Sequence, residues 1–136
     1  MSNTHTIEKI GGTSMSDYSS VRDNIILGGG ANVRYQRVFV VSAYGGITDQ
    51  LLEHKKSGQP GIYGLFAGGM EDDSWSVKLI ELKAELHKIN QRLFGDGDLL
   101  EQANQFLDQR LEGAKQCLLD LQSLCQHGHF ALEAHL

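Results

Sequence analysis

Up to about residue 73 the apolar residues come in short clusters cut by glycine; beyond it they recur at intervals of three and four over two long stretches. The first cluster, residues 4–10, predicts a short strand. Residues 17–27 carry Val21, Ile25 and Ile26 at helical spacing, with Ser16 or Asp17 available as N-cap. Gly28-Gly29-Gly30 should stop that helix by supplying a left-handed terminus. Val38-Phe39-Val40-Val41 is a continuous β-branched and aromatic run, which predicts a strand covered on both faces, as in a parallel sheet. Strand, helix and strand in this order form a βαβ unit with a right-handed crossover. Thr48 is the expected N-cap of a helix over 49–56, and the glycine-containing residues 57–73 read as a loop with one helical turn at 62–66.

In the second region Trp75, Leu79, Leu82, Leu86, Ile89 and Leu93 form one apolar stripe. Leu100, Ala103, Leu107, Ala114, Leu118, Leu121 and Cys125 form another, and Gly95-Asp96-Gly97 separates them. Two helices joined so briefly run antiparallel, so residues 73–127 are expected to be a helical hairpin with a knobs-into-holes seam. Lys78, Glu81, Lys83, Glu85, Lys88 and Arg92 then fall on a solvated outer face. The helix-like residues 130–136 end without a terminator. An isolated parallel pair of strands is also not a stable architecture. Both features raise the expectation of a larger protein.

Composition narrows the partners. The chain has 136 residues, 40% hydrophobic and 21% charged, which suits a single soluble domain. A net charge of −5 argues against a nucleic-acid binder. With no apolar run of spanning length and no basic-then-apolar leader, the expectation is a cytoplasmic chain with no membrane partner. Cys117 and Cys125 lie on one predicted helix, about 12 Å apart at the helical rise. That is too far for a disulfide, so both read as small core residues. His54 and His87 read as surface residues. His127, His129 and His135 have no cysteine or carboxylate at a ligand spacing, so no metal site is expected.

Candidate chemistry gathers at two glycine turns. Lys9-Ile10-Gly11-Gly12-Thr13-Ser14 leaves the first strand and Ser42-Ala43-Tyr44-Gly45-Gly46-Ile47-Thr48 leaves the second. Free amides at a strand end, beside a helix expected to begin at Ser16-Asp17, attract anions. Neither turn has Walker A or dinucleotide-fingerprint spacing. In a parallel pair both would sit at one sheet edge, where open α/β folds bind ligands.

The same residues carry a family resemblance. Lys9-Ile10-Gly11-Gly12-Thr13-Ser14 resembles the K-F-G-G-T-S signature of aspartate kinases, with Ile10 in the phenylalanine position. Residues 40–52, Val40-Val41-Ser42-Ala43-Tyr44-Gly45-Gly46-Ile47-Thr48-Asp49-Gln50-Leu51-Leu52, resemble that family's V-V-S-A-x-x-G-x-T-x-x-L motif, with Gly46 and Thr48 in the glycine and threonine positions. Leu52-Glu53-His54-Lys55-Lys56-Ser57-Gly58-Gln59-Pro60-Gly61 is similar to the members linked to ectoine synthesis. The resemblance implies the N-terminal portion of an amino-acid-kinase αβα sandwich, with residues 1–72 as the βαβ unit and glycine loops. It implies phosphorylation of the L-aspartate side chain by ATP with Mg2+. Lys9 would meet the transferring phosphoryl group, Gly11, Gly12 and Ser14 would line the phosphate side, and Ser42, Ala43 and Thr48 would touch aspartate. The family's S-x-G-E motif, later nucleotide-binding segments and regulatory ACT domains are not found in these residues, so the chain alone is expected to be inactive and to self-associate. Another amino-acid kinase, acting on glutamate or N-acetylglutamate, is the rival within enzymes. A helical-hairpin interaction module is the rival outside them.

Overall fold

The structure is a computed structural model that describes residues 5–28, 36–69 and 73–128. Two compact units divide the chain, Met1–Thr48 and Asp49–Leu136. In the first, strand β1 (Thr6–Ile10) pairs in parallel with β2 (Arg37–Val41), Ile7 opposite Val38 and Ile10 opposite Val41. Between them come two single-turn helices, α1 (Gly12–Met15) and α2 (Tyr18–Val21), and a π-helical stretch, Arg22–Ile26. Ile10, Met15 and Val21 are the buried centre, packed by Tyr18, Ile26, Phe39 and Tyr44.

Parity along the strands decides what each face meets. Glu8, Ile10, Arg37 and Phe39 share the inner face, while Ile7, Val38 and Val40 share the other. Those three are 75%, 49% and 50% exposed, so the two-sided burial expected from the unbroken apolar run is not found. The described residues cover one face only. On the inner face the Arg37 guanidinium forms a fork on Glu8, with both hydrogen bonds at 2.6 Å. It also donates to the Ile25 carbonyl at 2.8 Å and lies 4.7 Å above the Phe39 ring. One side chain therefore ties β1, β2 and the end of the helical crossover together.

The crossover differs in detail from expectation. Helical winding starts at Gly12 rather than near residue 16, and Asp17 caps α2 by accepting from the Ser20 amide. Four residues later the winding widens, with the Leu27 amide donating to the Arg22 carbonyl. Gly28 ends it without a left-handed backbone. A Cβ there would lie 2.4 Å from the Asn24 carbonyl oxygen, so space demands the glycine. Gly29 and Gly30 lie outside the described residues.

Helix α3 (Ile47–Leu51) starts one residue before Thr48 and stops well short of 56, so Thr48 is not its cap. The chain instead folds back through a tight hairpin, where Glu53 bridges Pro60 and the Gly61 amide donates to the Leu52 carbonyl. A side chain on Gly61 would strike the Gln50 carbonyl at 2.6 Å and Leu52 backbone at 2.7 Å. Gly58 adopts φ +67°, and the His54 Nδ1 accepts from the Ser57 amide. The turn expected at 62–66 is helix α4 (Ile62–Gly68).

The second unit is built on α4, α5 (Ser74–Phe94) and α6 (Asp98–Gly128), with Gly95 and Gly97 at positive φ making the expected break. Phe66, Trp75 and Leu82 are its most deeply buried side chains, and the two aromatic rings meet edge to face at 5.7 Å. Polar contacts fix the α5–α6 register. Asp108 accepts from Lys83 at 3.0 Å and pairs with His87 at 2.6 Å, and Asn90 donates to Asn104. Burial pushes the Asp108 carboxyl upward, but Lys83 and His87 outweigh it and hold it below its ordinary value. Lys83 and His87 are thus seam residues rather than outer-face ones, and Glu85 holds Gln50 at 2.7 Å. Along α6 the apolar stripe is shallower than its spacing suggests. Ala114 and Leu121 are exposed, Cys117 is exposed and Cys125 half-buried, so the two cysteines are not the core residues their spacing suggests. His127 Nδ1 lies 2.9 Å from the Ser123 carbonyl, while residues 129–136, with His129 and His135, lie outside the described residues. No described helix is long and apolar enough to cross a membrane.

The Glu8–Arg37 fork makes a pH prediction. Hydrogen bonds from Arg37 hold the Glu8 carboxyl below the usual glutamate value of about 4.3. Since the folded value is the lower one, the stabilisation is complete above that pH and is lost as pH falls through the folded value. Glu8→Gln should therefore lower the urea midpoint at pH 7, and the gap to the parent chain should shrink progressively as pH falls below the usual glutamate value. A gap that does not change with pH would mean that the charge of Glu8 contributes nothing.

Candidate active site

Parallel pairing brings the C-terminal ends of β1 and β2 to one edge, and the ladder continues past them as the Ser42 amide donates to the Ile10 carbonyl at 3.0 Å. The two glycine turns consequently touch. An added Cβ on Gly12 would sit 3.1 Å from the Ala43 carbonyl oxygen, 3.6 Å from Ser42 Oγ and 3.7 Å from the Gly45 Cα. One on Gly45 would sit 2.7 Å from Ser16 Oγ and 3.4 Å from the Gly12 carbonyl oxygen. Gly12 favours close approach of backbone to backbone, since a side chain there would crowd the Ala43 carbonyl, whereas a side chain on Gly45 would collide with the Ser16 hydroxyl. Gly46 is required for conformation: its φ is +85°, and nothing lies within 4 Å of where its Cβ would stand.

Around this contact the predicted residues fall into two groups. Gly11, Gly12 and Ser14 belong to the first turn and α1, with Ser14 exposed; Ser42 and Ala43 belong to the second, both exposed. Lys9 projects from β1 with an exposed side chain, its Nζ 4.0 Å from the Cβ position of Gly11. Thr48 is exposed inside the first turn of α3. The first turn is followed by a single helical turn, too short to carry the dipole expected there. Beneath the turns Tyr44 reaches the buried centre, and burial, with a smaller contribution from Tyr18, raises its phenol above the ordinary value. The phenol is therefore neutral at physiological pH.

Ser16 is the residue that spacing alone did not single out for the site. Its hydroxyl donates to the Gly12 carbonyl at 3.1 Å and accepts from the Gly45 amide at 3.1 Å. Its sequence context offers it only as a helix cap, and no local pattern signals a bond across 29 residues. Among the described residues no group of three or more His, Cys, Asp or Glu side chains could hold a metal ion.

Over 134 residues the chain is 48% identical to "Aspartate kinase Ask_Ect" of Stutzerimonas stutzeri. The chain is similar to an aspartate kinase. That similarity takes in 97% of this chain, which spans 28% of the length of the curated relative. It includes both glycine turns and extends the resemblance carried by their motifs across the helical hairpin. Neither a protein-family model nor a solved structure matches the chain.

The two kinds of glycine should respond differently to substitution. Gly46→Ala should cost about 1–2 kcal/mol of stability, the usual penalty for a left-handed alanine, and Gly46→Asn clearly less. Equal unfolding midpoints for the Ala and Asn variants would refute the conformational reading of Gly46.

Proposed function

We propose that this chain supplies the two glycine turns of an aspartate kinase, one for phosphate and one for aspartate, within an amino-acid-kinase αβα sandwich, for ATP-dependent phosphorylation of the L-aspartate side-chain carboxylate. The observation that carries the reading is the contact of Gly12 with Ala43 and Gly45, which joins the two turns bearing the aspartate-kinase motifs. Similarity to a curated aspartate kinase along 97% of the chain supports it.

The chemistry asks little of the protein beyond placement. Aspartate brings a nucleophile already ionised at neutral pH, so no general base is needed. A carboxylate oxygen forms the new bond to the terminal phosphorus, the bond to the bridging oxygen breaks, and that oxygen leaves with ADP. Two anions must be held together while the transferring charge is neutralised. Gly11, Gly12 and Ser14 line the phosphate side in this reading, and Lys9 supplies a cation where charge develops. Ser42, Ala43 and Thr48 hold the aspartate. Gly12 lets the first turn seat closely on Ala43 and Gly45 of the second, which keeps the phosphate side and the aspartate side adjacent. For Mg2+ the described residues offer no clustered set of three or more His, Cys, Asp or Glu ligands.

The test is an exchange of this chain for the matching stretch of the Stutzerimonas stutzeri kinase. Aspartate-dependent ADP release should survive the exchange; a folded but inactive chimera would overturn the reading. Within the chimera Lys9→Ala should lower kcat by about a hundredfold or more, the usual loss of one transition-state donor, with a small change in KM for aspartate. Unchanged turnover would remove Lys9 from the site.

A further inference from the structure

Resting on the kinase reading above, we infer that Ser16 is a positioning residue that clasps the two glycine turns into one rigid frame. A hydroxyl has one proton to give and lone pairs to receive, so a single oxygen can serve both turns at once. In this structure it does so, donating to the Gly12 carbonyl and accepting from the Gly45 amide, each at 3.1 Å. The bond to Gly12 is local, four residues back, while Gly45 lies 29 residues on, and neither partner belongs to a strand ladder.

The clasp sits where the ladder ends. Beyond the Ser42–Ile10 hydrogen bond, no backbone hydrogen bond between the first and second turns is found among the described residues. The space between them is closed by glycines, which pack tightly but carry no side chain to lock the fit. Gly45, with a neighbour at positive φ, has the conformational freedom that makes a second anchor useful. Ser16 itself is held from below, since the residue before it, Met15, is buried in the core of the unit. The hydroxyl thus links the second turn to the packed centre through α1.

Such a clasp acts on placement. The first turn is the phosphate side and the second the aspartate side, so their separation sets the approach of nucleophile to phosphorus. Rate is far more sensitive to that distance than is the affinity for either reactant. Ser16 touches neither reactant and works only through Gly12 and Gly45.

The test combines amide exchange on the 136-residue chain with kinetics of the chimera. Ser16→Ala should speed exchange at the Gly45 amide about fivefold or more, the effect of one lost hydrogen bond, while the Ser42 ladder amide keeps its rate. In the chimera the same substitution should lower kcat by about tenfold or more with both KM values little changed, and Ser16→Thr should restore both readouts. Unchanged Gly45 exchange in Ser16→Ala would overturn the clasp. Faster exchange at Gly45 with full kcat would overturn the positioning role and leave a purely structural bond. If the chimera is inactive with Ser16 in place, the kinase reading fails and the positioning role with it, whereas the exchange result still decides the clasp by itself.

Discussion

Parallel pairing of β1 and β2 is the constraint from which the arrangement of the N-terminal unit follows. An antiparallel pair would send the two glycine turns to opposite ends of the sheet, some five residues apart along the strands. Parallel strands force both turns to one edge and require a crossover between them, and that crossover brings Met15 and Val21 into the centre. Arg37 holds the pairing in register. Its fork on Glu8 reaches diagonally across the strands, and its third donor takes a carbonyl of the crossover. The electrostatics is local, but its effect is topological: strand order, register and crossover path are tied at one guanidinium.

Much of this was legible in the residues, and what was not has physical reasons. Val38 to Val41 and the cluster ending at Ile10 declared themselves as strands through β-branching, and glycine after each declared the turns. The heptad-like stripe from Trp75 to Leu93 read cleanly as α5, because a buried helix face imposes its period on the sequence. The exposed outer sheet face at Ile7, Val38 and Val40 could not be read, since an apolar residue looks the same covered or bare. Nor could the stopping of α3 at Leu51, which is enforced by the Gly61 backbone contact ten residues later. His87 and Lys83 looked like surface positions because their partner, Asp108, lies on the other helix. Of the candidate site, the motif residues were legible, and the contact between turns followed from parallel pairing. Ser16 was not legible, because its partner Gly45 is remote in sequence and its role depends on a hydroxyl's two-sided bonding.

In the second unit, apolar and polar contacts divide the work. Edge-to-face packing of Phe66 on Trp75 buries these side chains of α4 and α5, at the cost of an indole Nε1–H with no hydrogen-bond partner among the described residues. Further along, the Lys83–Asp108–His87 cluster and the Asn90–Asn104 pair choose one helix register from those a leucine-rich seam would allow. Tight packing anchors one end of the hairpin, and directional bonds set the alignment of the rest.

The π-helical stretch Arg22–Ile26 has its own consequence. A wide turn of this kind holds one residue more than an α-helical turn over the same rise. Here that slack leaves the Ile25 carbonyl free to meet Arg37 while Val21 stays in the core. Rewinding to an ordinary α-helix would absorb the loss of a residue without moving either strand. The crossover is thus the tolerant joint of this unit, able to take up length changes that the backbone-to-backbone seat of Gly12 against Ala43 and Gly45 cannot.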